Sequence, residues 1–148
     1  MRDDELLIER SFDAPLSVVF AIWAEPEHVK AWLGPRPLMC THLDMDFRVG
    51  GSWFGVIEAP DKGRFEMGGV YKAIDTDRHL SFTFGPSPEN APTLVTIDFE
   101  RRDGRTHMRF RQSGFANADL RDAHIGGWTG AFEKMGECIN AVAKENQA

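Results

Sequence analysis

Between residues 38 and 115, hydrophobic and polar positions alternate with a period of two, and turn-forming residues separate the runs. This alternation is typical of antiparallel strands that bury one face and expose the other. The clearest run covers residues 106–112, where Met108 and Phe110 share one side of the predicted strand. The side chains on the opposite side are expected to be solvated: His107, Arg109 and Arg111.

Five further runs with the same alternation complete a predicted antiparallel meander. The six strands are expected at residues 39–47, 52–58, 67–75, 80–84, 95–100 and 106–112. Asp103 and Gly104 separate the last two runs and are typical of a tight hairpin turn. The concave, buried side of the sheet is expected to carry Val95, Ile97, Phe99, Met108 and Phe110. A one-residue shift in register would bury Arg109 and Arg111 instead, at a prohibitive cost for unpaired charges.

The chain before the meander predicts one more strand and two short helices. Glu5–Phe12 begins with an apolar cluster and ends in alternation, and Pro15 can then occupy the first turn of a helix. Apolar residues follow at helical spacing: Val18, Val19, Ile22 and Trp23. A second short helix begins near Pro26 and is stopped by the Gly- and Pro-rich segment 34–37. The sheet is therefore expected to have seven strands in all.

Residues 118–144 return to a helical period and predict one long C-terminal helix. Its apolar stripe consists of Ile125, Trp128, Phe132, Met135, Ile139 and Val142. Asn117 or Asp119 can cap its start. Glycines occupy positions 126, 127, 130 and 136 of this helix, and each costs about 1 kcal/mol relative to alanine. Such a cost is understandable where a helix approaches a sheet closely or leaves space beside it.

With 148 residues and 42% hydrophobic positions, the chain is expected to form one domain over 1–148, with its core at about 6–143. Cys40 and Cys138 lie far apart and predict free thiols rather than a disulfide framework. A net charge of −6 argues against binding to nucleic acid or an anionic membrane surface. No apolar run approaches the roughly 18 residues of a membrane span. The acidic start, residues 1–5, lacks the features of a secretory signal, so a cytoplasmic location is expected.

One long helix and two short ones must cover the apolar face of this sheet. If they cover it incompletely, the gap forms a pocket lined by aromatic rings, which is the usual form of a small-molecule site. A solid core is the alternative, in which the same rings simply pack together. The candidate lining residues are Trp23, Trp32, Trp53, Tyr71, Phe82, Phe84, Phe99, Phe110, His124, Trp128 and Phe132.

The five histidines show no spacing that would place two imidazoles on one metal ion. Cys40 and His42 share a strand face, but a half-buried thiol beside an exposed imidazole explains them more simply. Asp44 and Asp46 offer paired carboxylates, although an ion pair between Asp46 and Arg48 is the simpler interpretation. The sequence therefore predicts no catalytic residue, no metal site and no cofactor.

The order of predicted elements, together with several short motifs, resembles the START-like superfamily (SRPBCC, Bet v 1-like). The motifs are Ala14-Pro15, Trp23, Trp32, the segment 46–51 (DFRVGG), the segment 69–71 (GVY), the segment 94–97 (LVTI) and Gly127-Trp128. Within the superfamily, the chain looks like the bacterial branch homologous to the C-terminal domain of activators of the heat-shock protein 90 ATPase. The resemblance implies an α+β helix-grip fold, in which the sheet wraps around the long C-terminal helix and leaves a cavity for apolar ligands.

Three functions are compatible with this resemblance. The first is a carrier or sensor that binds a small hydrophobic or aromatic molecule in the cavity. The second is an enzyme of the polyketide cyclase or hydrolase kind that uses the same cavity. The third is an interaction module whose partner is a chaperone. The fold alone does not choose among them, and the sequence also leaves open whether the chain forms a homodimer.

Overall fold

Seven strands form one continuous antiparallel sheet, and three helices pack on it. The structure is a computed structural model that describes residues 3–147, with the side chains of residues 3–145. The elements are β1 (Glu5–Phe12), α1 (Leu16–Ala24), α2 (Pro26–Trp32), β2 (Met39–Met45), β3 (Ser52–Ala59), β4 (Gly63–Asp75), β5 (His79–Phe84), β6 (Thr93–Arg102), β7 (Arg105–Ser113) and α3 (Ala118–Gln147). The strand order is β1-β7-β6-β5-β4-β3-β2. The predicted helix-grip architecture is confirmed.

The buried face of the central strands follows the predicted parity. Ile97 faces Phe110 across β6 and β7, and Phe99 faces Met108. All four side chains are buried, whereas Arg109 between them is exposed. Because side chains alternate strictly along a strand, this register places the apolar residues toward α3 and the charges in water.

The strand β4 begins at Gly63 rather than at residue 67, where the alternation had predicted its start. Residues 63–66 are exposed, so no apolar pattern marks them as a strand. Their backbone nevertheless pairs with β3, with Gly63 opposite Ala59 and Phe65 opposite Ile57. Gly63 has a φ of +88°, a left-handed conformation that glycine adopts without strain and that closes the β3–β4 turn.

The helix α3 is capped by Asn117, whose Oδ1 accepts a hydrogen bond from the Leu120 backbone N–H at 2.9 Å. Four side chains of the apolar stripe of α3 are buried: Trp128, Phe132, Met135 and Ile139. At Gly130 an added Cβ would lie 2.6 Å from the Cβ of Pro35, so glycine there permits close packing of the segment before β2. Among residues 3–147, no helix is both long and apolar enough to cross a membrane.

The helices α1 and α2 meet through the indole of Trp32. The helix α1 ends just before Pro26, which has no N–H to donate to the carbonyl of Ile22 four residues earlier. Trp32 Nε1 donates to that carbonyl instead, at 2.9 Å. The neighbouring indole of Trp23, 4.7 Å away between ring centroids, is equally deep, but its Nε1 has no hydrogen-bond partner among the described residues.

This difference between two neighbouring indoles allows a matched test. Trp32→Phe removes a buried hydrogen bond, whereas Trp23→Phe removes a buried donor that is already unpaired. Both changes lose similar apolar volume, so we expect Trp32→Phe to lower the free energy of unfolding by about 1 kcal/mol more than Trp23→Phe does. Urea denaturation of both variants measures the difference. Equal losses of unfolding free energy would show that the hydrogen bond from Trp32 to the Ile22 carbonyl does not stabilise the fold.

Candidate ligand-binding site

A cavity of about 600 Å³ lies beside the first half of α3. Its other walls are the segment 33–38, the facing ends of β3 and β4, and the loop between β5 and β6. Most lining side chains are apolar, among them Leu38, Ile57 and Met67. Phe65 and Leu120 also line it and are large apolar side chains that stay 51% and 43% exposed. These two residues therefore lie at the mouth of the cavity.

A second, much smaller cavity of about 30 Å³ lies among the aromatic rings of the core. It has room for a water molecule but not for an organic ligand. Trp128 lines both cavities, so its indole forms part of the wall between them.

The eleven aromatic and imidazole side chains predicted from the sequence fall into three groups. Those lining the large cavity are Phe84, His124 and Trp128. Those lining the small cavity, together with Trp128, are Trp23, Trp32, Trp53, Tyr71 and Phe82. Those lining neither are Phe99, Phe110 and Phe132, which are buried in the core. Most of the predicted rings therefore pack against one another, and the space for a ligand lies to one side of them.

A chain of buried hydrogen bonds ties α3 to three strands at the edge of the large cavity. Trp128 Nε1 donates to Gln112 Oε1 at 2.8 Å, and Gln112 Nε2 donates to Thr93 Oγ1 at 2.9 Å. The Thr93 hydroxyl in turn donates to the Phe84 carbonyl at 2.7 Å. Gln112 is fully buried, and the chain satisfies both ends of its amide. The chain thereby fixes the wall between core and cavity.

Gln112 is not among the side chains predicted to line a cavity. Its position was available from parity, because it follows Met108 and Phe110 at intervals of two on β7. A polar residue on the buried face of a strand needs a partner. That signal could have identified Gln112 as a buried polar contact, but its partners Trp128 and Thr93 lie on other elements.

The imidazole of His124 lies on α3 at the cavity wall, in contact with two phenylalanine rings. The centroid distances are 5.7 Å to Phe84 and 5.0 Å to Phe115. His124 Nδ1 lies 3.0 Å from the Leu120 carbonyl one turn earlier. Packing and this hydrogen bond together hold the ring in one orientation.

The segment 33–38 is fastened to α3 at two points. Arg36 Nη2 lies 2.7 Å from Glu137 Oε1, and Lys134 Nζ donates to the Leu38 carbonyl at 3.1 Å. The hydrogen bond from Arg36 lowers the pKa of the Glu137 carboxyl below its ordinary value, which favours the charged form of the pair. These contacts hold one wall of the cavity against the helix.

The remaining histidines and cysteines are mostly occupied by local contacts. His107, expected to be solvated, is only 14% exposed, and its Nε2 lies 2.8 Å from Glu9 Oε1. The expectation was wrong because β1 pairs with β7 and places Glu9 and Ser11 beside the ring. His42 forms an exposed pair with Asp44 at 2.8 Å.

The Cys40 thiol is half-buried, and burial raises its pKa, which disfavours the reactive thiolate. Asp46 and Arg48 form the surface ion pair that their spacing predicted, at 2.9 Å. Neither group therefore points to a reactive centre.

One group of potential metal ligands occurs within the described part of the chain, at the start of α2. The ligand atoms of Glu25, Glu27 and His28 lie within 4.8 Å of one another. Both carboxylates are exposed, and His28 Nε2 already lies 2.9 Å from Glu25 Oε2. We assign no metal to this group.

The sheet folded onto one long C-terminal helix, with a cavity beside that helix, defines a helix-grip protein of the START-like class. The chain belongs to the family described as Activator of Hsp90 ATPase homolog 1-like protein, which it matches over residues 13–140. The resemblance seen in the sequence motifs is thereby confirmed. Among curated proteins, none matches the chain.

Solved structures share this fold at low sequence identity. A protein from Nitrosomonas europaea superposes with a TM-score of 0.81 at 20% identity, over 98% of this chain and 97% of the other. A protein from Mycobacterium smegmatis gives 0.81 at 25% identity, over 93% and 92%. The AHSA1 protein of Silicibacter pomeroyi gives 0.80 at 23% identity, over 90% and 95%. These similarities show the fold.

The buried hydrogen-bond chain predicts a strong coupling between Gln112 and Trp128. Gln112→Leu keeps a similar volume but leaves the indole N–H unpaired, and should lower the free energy of unfolding by about 2 to 3 kcal/mol. Trp128→Phe should also lower the free energy of unfolding, but by about 1 to 2 kcal/mol less in the Gln112→Leu variant than in the original protein. In that variant the indole N–H is already unpaired, so replacing the indole removes an unfavourable group. A double-mutant cycle in urea measures this difference.

The control for that cycle is Thr106→Val, another buried polar-to-apolar change on the same strand. Thr106 Oγ1 donates to the Ala14 carbonyl at 2.6 Å and makes no hydrogen bond with Trp128. The losses in free energy of unfolding caused by Thr106→Val and by Trp128→Phe should therefore be additive in the double variant. Equal coupling in both cycles would show that the Gln112 effect is not specific to its hydrogen bond.

Proposed function

We propose that this protein binds a small apolar or aromatic molecule in the 600 Å³ cavity beside α3. The observation that carries the proposal is the cavity itself, which is already formed and mostly apolar. Small-molecule sites in proteins are typically clefts of about 300 to 1,000 Å³ lined by hydrophobic side chains with a few polar groups. The function proposed is that of a carrier or sensor in the cytoplasm, with Phe84, His124 and Trp128 as ligand contacts.

The glycines of α3 support the proposal because one of them leaves space open. Gly127 lines the cavity, and an added Cβ there would meet no atom within 4 Å. Glycine in a helix interior is costly relative to alanine, and no close contact with a neighbouring element explains its presence at this position. The missing side chain instead adds volume to the cavity.

The carboxylate on the cavity wall is a poor candidate for acid–base catalysis. The titratable side chains on the cavity wall are Glu66 and His124. Glu66 is exposed at the mouth and lies 3.3 Å from Arg64. A catalytic acid or base is generally a partly buried group with a shifted pKa and a partner that orients it. An exposed carboxylate already paired with an arginine does not meet that description.

Two adjacent glycines provide a test that separates the cavity from the helix. Gly127→Leu places an apolar side chain in the cavity, whereas Gly126→Leu places the same side chain on the exposed face of α3. Both substitutions should raise the free energy of unfolding by about 0.5 to 1 kcal/mol, because leucine favours the helix. We expect only Gly127→Leu to weaken binding of N-phenyl-1-naphthylamine, by at least about tenfold, measured by its fluorescence.

Two outcomes would contradict the proposal. One is a failure of the original protein to enhance the fluorescence of the dye. The other is equal binding by both leucine variants, which would place the dye outside the cavity. Circular dichroism and urea denaturation of each variant confirm that it folds.

A further inference from the structure

Most polar groups at the wall of the large cavity are already engaged with other parts of the protein. The Thr93 hydroxyl donates to the Phe84 carbonyl and accepts from Gln112, and the Trp128 N–H donates to the same Gln112 amide. These side chains contribute shape and apolar surface to the site. Their hydrogen-bonding groups are not available to a ligand without breaking a buried bond.

Two lining side chains are exceptions: the amide of Asn90, which is exposed, and the imidazole of His124, which is half-buried. The Leu120 carbonyl can only accept a hydrogen bond, so the 3.0 Å contact with His124 Nδ1 requires the proton to be on Nδ1. In the neutral ring, Nε2 then carries a lone pair and can only accept. Within residues 3–145, Nε2 makes no hydrogen bond. It lies across the ring from Nδ1, which is directed back along the helix.

The position of this acceptor is set before any ligand binds. The ring packs against Phe84 and Phe115, and the helix carbonyl fixes its tautomer. A polar group that is already oriented costs little additional entropy on binding. A hydrogen bond formed among apolar walls is also stronger than the same bond in water.

From this geometry we infer that the ligand is an uncharged aromatic molecule with a hydroxyl group, and that the hydroxyl donates its hydrogen bond to His124 Nε2. The inference rests on the proposed function, because it assigns a chemical class to the molecule in the same cavity. The apolar walls take the rings, and His124 selects the hydroxyl. An aromatic compound of the same shape whose oxygen has no hydrogen lacks the donor that His124 requires.

The test compares 2-naphthol with 2-methoxynaphthalene, which differ in the ability to donate a hydrogen bond. At pH 8, where imidazoles are generally neutral, isothermal titration calorimetry should show about tenfold tighter binding of 2-naphthol, equal to about 1.4 kcal/mol. His124→Phe keeps an aromatic ring in contact with Phe84 and Phe115 but removes the acceptor. The preference for 2-naphthol over 2-methoxynaphthalene should fall to about onefold to twofold in this variant, because the acceptor that separates the two compounds is gone.

A second measurement on the unmodified protein needs no variant. In a long-range ¹H–¹⁵N spectrum of the histidine rings, His124 should show a protonated Nδ1 and an unprotonated Nε2. Addition of 2-naphthol should shift the Nε2 signal strongly, and 2-methoxynaphthalene should shift it little. An Nε2-protonated ring in the unliganded protein would overturn the inference.

The outcomes distinguish this inference from the proposed function. Equal affinity for both naphthalenes, in a protein that binds both, would overturn the hydroxyl preference and leave cavity binding supported. A preference that survives His124→Phe would assign the donor contact to another residue and overturn the role of His124. Absence of binding to either compound would contradict both proposals together.

Discussion

Trp128 and Gln112 are both buried, and each carries polar atoms that water cannot reach. An unpaired buried amide or indole N–H costs on the order of 1 to 3 kcal/mol, so these two side chains must meet. Because one lies on α3 and the other on β7, their 2.8 Å hydrogen bond fixes the helix relative to the sheet. The Thr93 hydroxyl and the Phe84 carbonyl extend the constraint to β6 and β5.

This constraint divides the space between helix and sheet into two parts. On one side of Trp128, the rings of Phe110 and Phe132 pack against it at centroid distances of 4.7 and 5.7 Å, and a solid core results. The large cavity lies beside the part of α3 that carries Ala123 and Gly127, where one residue has only a methyl group and the other has no side chain. Both outcomes that the sequence allowed, solid core and cavity, therefore occur in the same molecule.

The fold could be predicted because its signal is local. Period-two alternation identified the buried faces of β6 and β7, and apolar residues at helical spacing identified α1 and α3. The start of β4 was missed because residues 63–66 are exposed on both sides and gain their strand conformation from pairing with β3. The environment of His107 was missed for a similar reason, since Glu9 and Ser11 reach it only through the pairing of β1 with β7.

The cavity could be predicted only in part, because its walls come from segments with no periodic signal. The segment 33–38 and the loop between β5 and β6 are rich in glycine and proline, which predicts where the chain turns but not what it faces. Contacts distant in the sequence decide that, such as Arg36 with Glu137 and Pro35 with Gly130. Loops on a fixed scaffold vary more easily than the scaffold itself. Solved structures with only 20 to 25% identity therefore share this sheet and helix, whereas much of the lining of the cavity comes from the segments that join these elements.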